Sequence, residues 1–507
     1  MNSPFVVASD LGTGGCKTVA VDGTGNVIAS AQSEYRTHYL HPGWCEQNPD
    51  DWMQAVSETT RAVLEQVDVP PTQVVAFGLD GTTHNAVLLD GAGQPLRPSI
   101  QFYDRRSQDQ CDEIAASWGD TIFQRTLNSI SPLWTWPQLA WVKKNEPDVW
   151  QAIRSVVFQK DYVRNRLAPS RVTDLIDVEG SLLFDPVANQ WVDDFVEDLG
   201  LSHDVLPEVV RSTDVVGQID AHGSNLTGLP EGTPVVAGVS DTAAEIFGAG
   251  ALQPGQGVIK LASVGRIATV ACGPGDDPRL LNYRHIIDGL WYPGTAVKHA
   301  ASAYRWLHET LCENDSYEAM DTAAGTVPAG CEGMLFLPHL QGAWAPRWDD
   351  ELRASFLGIN MRHQRSHFIR AAMEGVAFAL RGAVRVMEDL GLGMDEVRLI
   401  GQGATSCLWA QIVADVLGRP ILVPAERDAA YGMALIIGMA VGLFPSSPAT
   451  IQDLIRIADR REPDPTRTCA YDDLFEIYQN ADDFLTSVSH RLTDFEHRSA
   501  AASTGTR

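Results

Sequence analysis

A glycine-rich turn near the start of the chain combines a carboxylate, a hydroxyl and a lysine. Residues 10–17 (DLGTGGCK) follow the apolar run of residues 5–8, with Ser9 between them. Glycines let the backbone approach a polyphosphate closely, and N–H groups in a turn can hold anionic oxygens. A carboxylate at a strand end can hold Mg²⁺, directly or through water. The pattern is therefore typical of a phosphate and metal site at Asp10, but an ordinary hairpin turn would contain the same residues.

A second carboxylate, Asp241, follows the apolar strand pattern of residues 234–238. An aspartate between a strand and a helix is commonly an N-cap, and spacing alone favours that role. The same position suits a general base that helps a hydroxyl attack phosphorus. Both interpretations remain open on spacing alone.

A third turn could bind a nucleotide. Residues 401–406 (GQGATS) join a strand pattern at residues 396–400 to an apolar helical pattern. Gly-rich strand-to-helix turns bind nucleotides, but many only change the direction of the chain. Histidine and tryptophan are equally ambiguous, since His84 and Trp44 could both belong to a hydrophobic core.

The segments that must position these residues repeat one pattern: an apolar strand, a tight polar turn and a second apolar strand. It occurs at residues 5–22, 74–93 and 257–271. Between these segments, apolar residues recur at helical spacing, for example after residues 48–50 and over residues 373–390. Hairpins and helices in two halves predict an internally duplicated α/β chain, with a boundary near residues 248–257.

Composition narrows the class of protein. At 507 residues the chain is too long for one ordinary hydrophobic core, so we expect two domains. A net charge of −27 disfavours nucleic acid and anionic membranes, although ATP is held largely by backbone N–H groups and brings Mg²⁺. The eight cysteines contain no C-x-x-C pair, and no apolar run reaches about 18 residues. We therefore expect a cytoplasmic protein with reduced thiols.

Together, the order and spacing of the motifs resemble those of the FGGY family of carbohydrate kinases, over residues 5 to about 490. Residues 354–374 (ASFLGINMRHQRSHFIRAAME) fit the C-terminal signature of that family, and residues 401–406 and 430–434 (AYGMA) follow in family order. The N-terminal signature, residues 135–141 (TWPQLAW), has Gln138 where the family usually has lysine.

Within the family, the chain is most similar to pentulose kinases of the xylulokinase type. This similarity is based on residues 43–49 (GWCEQNP), 104–106 (DRR) and 160–162 (KDY), and on the histidine at position 84. Glycerol kinases carry an Arg-Glu pair where this chain has Thr83 and His84, which argues against glycerol as the acceptor.

The chain also departs from the family. Thr83 replaces a usual methionine, and Thr242 replaces a usual asparagine after the catalytic aspartate. The second phosphate turn, usually Gly-Thr-Ser-Gly, is ASVG at residues 262–265, and a usual Glu-Arg pair is AW at residues 343–344. The changes at Thr83, Thr242 and residues 343–344 affect the expected substrate, and the altered turn keeps Ser263 as its only hydroxyl.

The resemblance implies two actin-like, ribonuclease-H-like α/β domains with a cleft between them, and ATP and Mg²⁺ as cofactors. It implies Asp241 as the general base and Asp10 as the Mg²⁺ anchor. The implied ATP-binding residues are Thr13, Lys17, Ser263, Gly265, Gly401, Gly403 and Ala404. The implied sugar-binding residues are Trp44, Thr83, His84, Asp104, Asp241 and Thr242.

On this basis we expect a sugar-binding domain over residues 1–248, an ATP-binding domain over residues 249–497 and a disordered tail over residues 498–507. The expected activity is transfer of the γ-phosphoryl group of Mg·ATP to a pentulose such as xylulose, or to ribulose, a tetrulose, a branched pentulose or a polyol. We expect no nucleic-acid or membrane partner, and the chain could form a homodimer. Two other classes stay open: a chaperone-like ATPase with the same core, and a sugar-binding regulator with weak or no catalysis.

Overall fold

The structure is a computed structural model that describes residues 3–504, with side chains described as far as residue 499. Its strands are β1 (Phe5–Leu11), β2 (Gly15–Asp22), β3 (Val27–Glu34), β4 (Glu46–Gln47), β5 (Val74–Gly81), β6 (Ala86–Leu89), β7 (Ser99–Ile100), β8 (Ser155–Phe158), β9 (Val172–Asp174), β10 (Phe184–Asp185), β11 (Gln190–Trp191), β12 (Glu208–Val210), β13 (Val215–Gln218), β14 (Pro234–Val236), β15 (Val239–Ser240), β16 (Gln256–Leu261), β17 (Gly265–Thr269), β18 (Gly294–Val297), β19 (Leu335–Leu337), β20 (Ser355–Leu357), β21 (Glu396–Ile400), β22 (Ile421–Pro424) and β23 (Ile457–Arg461).

Its α-helices are α1 (Pro49–Gln66), α2 (Gln108–Trp118), α3 (Thr121–Thr126), α4 (Thr135–Asn145), α5 (Pro147–Ala152), α6 (Gln159–Leu167), α7 (Asp193–Leu199), α8 (Ala221–Thr227), α9 (Asp241–Gly248), α10 (Ala301–Leu311), α11 (Tyr317–Gly325), α12 (Arg365–Asp389), α13 (Cys407–Leu417), α14 (Ala429–Ala440), α15 (Pro448–Leu454) and α16 (Pro465–Thr504). None of these helices, within the described part of the chain, is long and apolar enough to cross a membrane.

The chain divides into two compact units. The first comprises the chain up to Leu252 together with Cys272–Trp291 and Glu426–Arg456. The second comprises Gln253–Ala271, Tyr292–Ala425 and the chain from Ile457 onward. The first unit is therefore discontinuous in sequence, since two of its segments fall inside residues 249–497, where the sequence predicted a single second domain.

The main sheet of the first unit has the strand order β13-β14-β5-β1-β2-β3, and β15 also pairs with β5. Strands β1, β2 and β3 form an antiparallel meander, β5 and β14 continue parallel to β1, and β13 is an antiparallel edge. Strand β15 pairs in parallel with the end of β5. The carboxyl ends of β1, β5 and β15 therefore meet at one edge of the sheet.

The main sheet of the second unit has the order β18-β17-β16-β21-β22-β23. Its first three strands are again an antiparallel meander, β21 and β22 are parallel to β16, and β23 is an antiparallel edge. Order and directions match those of the first sheet, in agreement with the internal duplication that the sequence predicts.

Two helices begin or end close to where the sequence indicates. Helix α1 starts after Asn48, whose side chain accepts a hydrogen bond from the Asp50 amide at 3.3 Å. Its residues Trp52, Val56 and Val63 are buried in the hydrophobic core of the first unit. Helix α12 covers most of the predicted apolar period and ends one residue before Leu390.

Two sequence expectations concern the thiols and the end of the chain. All eight cysteines lie within the described residues and are free, as expected. Helix α16 extends to Thr504, so the structure places residues 498–504 of the predicted disordered tail in a helix. Residues 505–507 of that tail lie outside the described residues.

Candidate active site

Three carboxylates meet at the edge of the first sheet. Asp10, the penultimate residue of β1, lies beside Asp80 of β5 in parallel register. Ser240 of β15 lies beside Gly81, so Asp241 follows immediately after the neighbouring strand end. Parallel pairing thus brings together side chains from three distant segments of the sequence.

Asp10 and Asp80 form a tightly coupled pair. Burial raises the pKa of Asp10 to about 7, and the negative charges of Asp241, Glu245 and Asp428 act in the same direction. Burial and the adjacent Asp10 also raise the pKa of Asp80 well above its usual range. No described N–H or O–H group donates to Asp10 Oδ1 or to either oxygen of Asp80. Both shifts have the same main cause, because burial disfavours the charged form of each carboxyl group.

Asp241 is the first residue of α9, and the N-cap position belongs to Ser240. The interpretation of Asp241 as the N-cap, which spacing alone favours, is therefore wrong. Thr242 donates its backbone N–H to Asp241 Oδ1 at 2.5 Å and its hydroxyl to the same oxygen at 3.1 Å. These local bonds fix the half-buried carboxylate and leave its second oxygen without a described hydrogen bond.

A close helix crossing holds this part of the site. A Cβ atom on Gly432 of α14 would lie 1.8 Å from the Ala244 carbonyl oxygen of α9, so only glycine allows the two helices to approach this closely. Helix α9 begins at Asp241, and α14 begins directly after its N-cap residue Asp428. The crossing therefore fixes both helix starts near the three strand ends.

Lys17 lies on β2 opposite Asp10 in antiparallel register. Its Nζ atom forms an ion pair with Asp428 Oδ2 at 2.5 Å, and both side chains are about one-third exposed. The Asp428 carboxylate also accepts from the Tyr431 amide as the N-cap of α14. The predicted phosphate-binding lysine is therefore anchored at this edge by an acidic residue that the sequence analysis did not single out.

The turn between β1 and β2 leaves two N–H groups without a described acceptor. The Gly12 carbonyl accepts from the Tyr35 hydroxyl, and the Thr13 carbonyl accepts from Gln47 Nε2 at 2.7 Å. The Gly14 carbonyl accepts from the Tyr35 amide at 3.3 Å. Among the described residues, no group accepts from the N–H of Thr13 or Gly14. A Cβ on Gly14 would meet open space, so a side chain there would fill space that the fold leaves vacant.

These features fit a magnesium–phosphate complex better than a metal held by protein ligands alone. No set of three or more His, Cys, Asp or Glu side chains within the described residues is arranged to hold a metal ion. Mg²⁺ in kinases usually takes one or two carboxylates, waters and substrate phosphates. The unpaired buried oxygens of Asp10 and Asp80 beside an open glycine turn could supply the carboxylate part.

Two predicted sugar-binding residues belong to one buried assembly. The Arg106 guanidinium lies 3.9 Å from the ring centroid of Trp44 and pairs with Asp104 at 2.7 Å. Asp104 is fully buried and also accepts from the Cys45 amide at 2.6 Å. Arg106 further pairs with Glu46 at 2.6 Å. Because both Asp104 oxygens already have donors, Asp104 positions Arg106 and Trp44.

His84 has a constrained backbone and a neutral ring. Its φ angle is 50°, and its N–H donates to Asp177 Oδ1 at 2.6 Å. The ring packs 5.1 Å from Trp134, and burial lowers the pKa of His84 to about 3. Its Nδ1 atom has no described partner. Thr83, the preceding residue, is half-buried.

A buried lysine, Lys160, holds the carboxylate that binds the His84 backbone. Lys160 Nζ lies 2.9 Å from Asp161, 3.0 Å from Asp174 and 3.1 Å from Asp177. Burial opposes the charge on Lys160, but these carboxylates outweigh it and hold the pKa of Lys160 above its usual value. Burial raises the pKa of Asp177 to about 7 even though Lys160 lowers it. The cluster thus fixes Asp177, which in turn fixes the backbone of His84.

The predicted ATP-binding residues of the second unit meet at one edge of its sheet. Strands β16 and β21 are parallel neighbours, with Lys260 beside Ile400. The turn with exposed Ser263 follows β16, and the turn with Gly401, Gly403 and Ala404 follows β21. Gly401 has a φ of 82°, and a Cβ there would lie 2.9 Å from the Leu261 carbonyl oxygen, so the fold itself requires this glycine.

Gly265 also has a structural role. A Cβ on Gly265 would lie 3.0 Å from a methyl group of Leu380 and 3.2 Å from the Ala300 Cβ. The Ser263 carbonyl accepts from the Ala300 amide at 3.1 Å and from the Ser302 hydroxyl at 2.7 Å. The altered turn is therefore closed by the start of α10, and the Ser263 hydroxyl accepts from Arg305 at 3.4 Å.

Sequence reasoning missed Asp80, Glu245, Asp428 and the role of Lys160 as the centre of a carboxylate cluster. Of these, Asp80 had the clearest signal in the sequence, because it lies next to last in the first strand of the second strand–turn–strand pattern, as Asp10 does in the first pattern. Asp428 had no local signal beyond its position before a helix.

Known protein families account for most of the chain. The N-terminal domain model of the FGGY family of carbohydrate kinases matches residues 5–248, and its C-terminal domain model matches residues 275–441. The xylulose kinase of Bacillus subtilis (strain 168) is 31% identical over 479 residues, which cover 94% of this chain and 96% of that protein. The xylulose kinase of Escherichia coli (strain K12) is 28% identical over 484 residues, with 93% and 97% covered.

Solved structures agree with this result. The crystal structure of xylulose kinase from Rhodospirillum rubrum superposes with a TM-score of 0.88 at 28% identity and covers 96% of this chain and 100% of that one. Gluconate kinase from Lactobacillus acidophilus, at 21% identity, shares the fold with a TM-score of 0.89. The predicted α/β class with two actin-like domains is thus confirmed. Since the family models match well over half of the residues and the Bacillus relative aligns almost end to end, the chain belongs to the FGGY family of carbohydrate kinases and is an ATP-dependent sugar kinase.

Proposed function

We propose that the chain transfers the γ-phosphoryl group of Mg·ATP to a hydroxyl of a pentulose, with xylulose as the first candidate and Asp241 as general base. The observation that carries the proposal is the convergence of Asp10, Asp80 and Asp241 at three adjacent strand ends, next to an open glycine turn. Phosphoryl transfer has a loose transition state, so catalysis depends mainly on positioning and charge neutralisation.

On the donor side, the first unit has a glycine turn suited to phosphate. The free N–H groups of Thr13 and Gly14 are suited to phosphate oxygens, and Lys17 supplies a nearby cation. In the second unit, the turns with Ser263, Gly265, Gly401, Gly403 and Ala404 share one sheet edge, which suits the adenosine part of the nucleotide and the remaining phosphates.

Asp10, together with Asp80, would hold Mg²⁺, which when bound neutralises negative charge on the phosphate oxygens. Asp241 would accept the proton of the attacking sugar hydroxyl. The bonds from Thr242 hold one oxygen of Asp241 in place, and the second oxygen is available to a substrate. We therefore assign separate tasks to Asp10 and Asp241.

The acceptor would be bound by Trp44, Thr83, His84 and Thr242, with Asp104 as a positioning residue through Arg106. Xylulose is the first candidate because relatives named xylulose kinase align with more than nine-tenths of the chain. The neutral His84 ring, with its Nδ1 unpaired, can exchange a hydrogen bond with a sugar hydroxyl. A site of this kind discriminates strongly, because a missing hydroxyl leaves a buried group unpaired.

The first test is sugar-dependent ADP release by the purified chain with Mg·ATP. The panel should contain D-xylulose, ribulose, a tetrulose, a branched pentulose, pentitols and gluconate, because one relative, 25% identical over 507 residues, is a gluconokinase from Bacillus subtilis (strain 168). A pentulose should give the highest kcat/KM. Release without dependence on any sugar would contradict the proposal, and sugar binding without ADP release would favour a regulator.

Asp241→Asn tests the base. General-base catalysis typically contributes about 10²–10⁴-fold, so kcat should fall by that factor while ATP affinity stays near its original value. Asp193→Asn, at an exposed position of α7, serves as the matched control. A kcat within threefold of the unchanged protein would remove Asp241 from this role.

The double substitution Thr83→Met with Thr242→Asn tests acceptor choice. It restores the usual family residues, removes a hydroxyl at position 83 and restores an amide at position 242. Each mismatched buried hydroxyl costs about 1–3 kcal/mol, so the ranking of ketoses by kcat/KM should shift roughly 5- to 150-fold toward D-xylulose. An unchanged ranking would show that these positions do not set specificity.

A further inference from the structure

One connection in the second sheet is far longer than its strands require. Strands β17 and β18 are antiparallel neighbours, and the Thr269 amide donates to the Pro293 carbonyl at 3.1 Å where the two strands begin to pair. Such strands are commonly joined by about 2–5 residues. Here the connection contains Cys272–Trp291, which belongs to the first unit and is called the crossing segment below. Long loops in compact domains usually have a function, so the contacts of this segment within the first unit are informative.

Three consecutive residues of the crossing segment contact the supports of His84. The first, Asn282, is buried and pairs reciprocally with Asn128. Its amide donates to Asn128 Oδ1 at 2.9 Å, and Asn128 Nδ2 donates to the Asn282 carbonyl at 3.0 Å. The adjacent Ser129 carbonyl accepts from Trp134 Nε1 at 2.7 Å. Asn282 therefore holds the chain that orients the Trp134 ring.

The second residue, Tyr283, is buried against Trp134 itself. The centroids of these two rings are 6.4 Å apart. The Trp134 ring also lies 5.1 Å from the ring of His84. Trp134 is thus in contact with both the crossing segment and His84, and it forms one wall of the space that the His84 ring occupies.

The third residue, Arg284, holds a second wall of that space. Its backbone N–H donates to Glu179 Oε2 at 2.9 Å, and its Nε atom lies 3.1 Å from Glu179 Oε1. The next residue, Gly180, lies against the His84 ring, because a Cβ at position 180 would be 2.7 Å from His84 Cγ. A shift of Glu179 would therefore move the backbone that touches the ring.

Two cations hold the turn that surrounds His84. Asp177 accepts from the His84 N–H at 2.6 Å and pairs with Lys160 at 3.1 Å, so these residues fix the His84 backbone. Glu179 pairs with Arg284, and the side chains of this pair are 1% and 16% exposed. A carboxylate buried this deeply depends strongly on its cation. A change at Arg284 should therefore turn the His84 ring and leave the His84 backbone in place.

We propose that Arg284 is a positioning residue for the acceptor, because it sets, through Glu179, the direction in which the His84 ring meets a sugar hydroxyl. This inference rests on the proposed role of His84 in sugar binding. Hydrogen bonds weaken steeply when their angles depart from linearity, so a turned ring loses affinity for the sugar. The nucleotide turns and Asp241 are not part of this chain of contacts. The expected result is a loss of sugar affinity with little change in ATP affinity or in the chemical step.

Initial rates of the full chain, with the acceptor that gives the highest kcat/KM, test the proposal. Arg284→Met removes the guanidinium group, so KM for the sugar should rise roughly 10-fold while kcat and KM for ATP stay within about threefold. Arg284→Lys keeps a cation and should recover most of the affinity. Arg279→Met is the matched control, because Arg279 forms an ion pair in the same segment with a side chain that is 47% exposed. The control should leave KM for the sugar unchanged.

Combination with His84→Asn separates positioning from a general structural defect. His84→Asn should raise KM for the sugar by itself. Addition of Arg284→Met should then have little further effect, because both changes weaken the same hydrogen bond. Glu179→Gln removes the charge of the partner and keeps its shape, so it should raise KM for the sugar even if Arg284→Met folds poorly.

The outcomes distinguish this inference from the proposed function. If His84→Asn raises KM for the sugar but neither Arg284→Met nor Glu179→Gln does so, the inference is overturned and the proposed function stands. Additive effects of Arg284→Met and His84→Asn would also overturn it, since they would show two independent causes. An unchanged chain without sugar-dependent ADP release would overturn both the proposed function and this inference.

Discussion

In the first unit, β1 carries Asp10 beside Asp80 of β5, and at the same place in the second unit β16 carries Lys260 beside Ile400. The two sheets share their strand order and directions, so the backbone does not account for this difference. The first unit has carboxylates at its central strand ends, and the second has glycine turns. The two copies of one scaffold therefore differ in the side chains at their central strand ends, which are acidic only in the first unit.

The buried charges of the two units can be compared directly by removing one cation from each. Lys160→Met would leave three buried carboxylates with Arg164 as their only described cation, so the free energy of unfolding should fall by about 3–5 kcal/mol. Arg370→Met would leave a single buried carboxylate, Glu374, without its cation, so the free energy of unfolding should fall by less. Lys144→Met, at an exposed ion pair, is the control.

Denaturant unfolding monitored by tryptophan fluorescence gives these values. If Arg370→Met were as destabilising as Lys160→Met, the number of carboxylates around Lys160 would not be the cause of its importance.

The carboxylates at the strand ends should matter for activity more than for folding. Asp10→Asn keeps the shape of the side chain and removes its charge, so kcat should fall roughly 100-fold or more as several kcal/mol of electrostatic stabilisation are lost. Asp22→Asn is the control, because Asp22 is the last residue of β2, whereas Asp10 pairs with Lys17 near the start of that strand. Assays at several Mg²⁺ and sugar concentrations separate the possibilities, because full recovery of the maximal rate by sugar alone would place Asp10 in sugar binding.

The glycines of the two units should behave in opposite ways. Gly14→Ala adds a Cβ to open space, so the melting temperature should stay within about 1 °C while KM for ATP rises several-fold. Gly401→Ala must adopt a φ of 82° and approach the Leu261 carbonyl, which should cost about 1–2 kcal/mol or more. Thermal melts and initial rates of both variants decide this. A Gly14→Ala variant with reduced stability and unchanged KM would contradict the assignment of the first turn to phosphate.

A smaller effect is expected for the dependence of stability on pH. Burial raises the pKa of Glu179 from 4.5 to about 8, although Arg284 lowers it. The folded state therefore prefers protonated Glu179. The stability that this preference contributes is complete below about pH 4.5 and is lost as the pH rises to about 8. Glu179→Gln should flatten the decrease in unfolding free energy between pH 5 and 8, by at most about 3 kcal/mol.

Glu374→Gln provides the comparison in the second unit. Burial also raises the pKa of Glu374, while Arg370 and Tyr471 lower it, so the change should have the same sign and a smaller size. A decrease with pH that is equally steep in Glu179→Gln and in the unchanged protein would show that Glu179 does not titrate in this range.

Local sequence signals predicted the local structure well. The helix that follows residues 48–50, the apolar period of α12 and the hairpins at residues 5–22 and 257–271 each depend on neighbouring residues, and each was confirmed. The hairpin predicted at residues 74–93 was wrong, because β6 pairs with β8 and not with β5. The Asp10–Asp80 pair depends on the register of two parallel strands about seventy positions apart, which no local pattern encodes. For Asp241, the cap interpretation failed by one residue, since Ser240 has the extended conformation of a cap.

Longer-range features were not predictable from spacing. No apolar period predicts the second half of α16, because its inward face is polar and its outward face is apolar. The contribution of residues 426–456 to the first unit depends on tertiary packing. Helix α14 packs on the first sheet, where a Cβ on Gly78 would lie 3.0 Å from Ile437.

The discontinuity of the first unit has a consequence for synthesis. Lys17 and its partner Asp428 are 411 positions apart. At about 5–20 residues per second, a ribosome needs roughly 20–80 s to add that much chain. During this time β1 and β5 lack the helix that covers them in the finished protein. A nascent chain that stops before α14 therefore cannot complete the first unit. The first unit begins to be synthesised first but can be completed only after much of the second unit has been made.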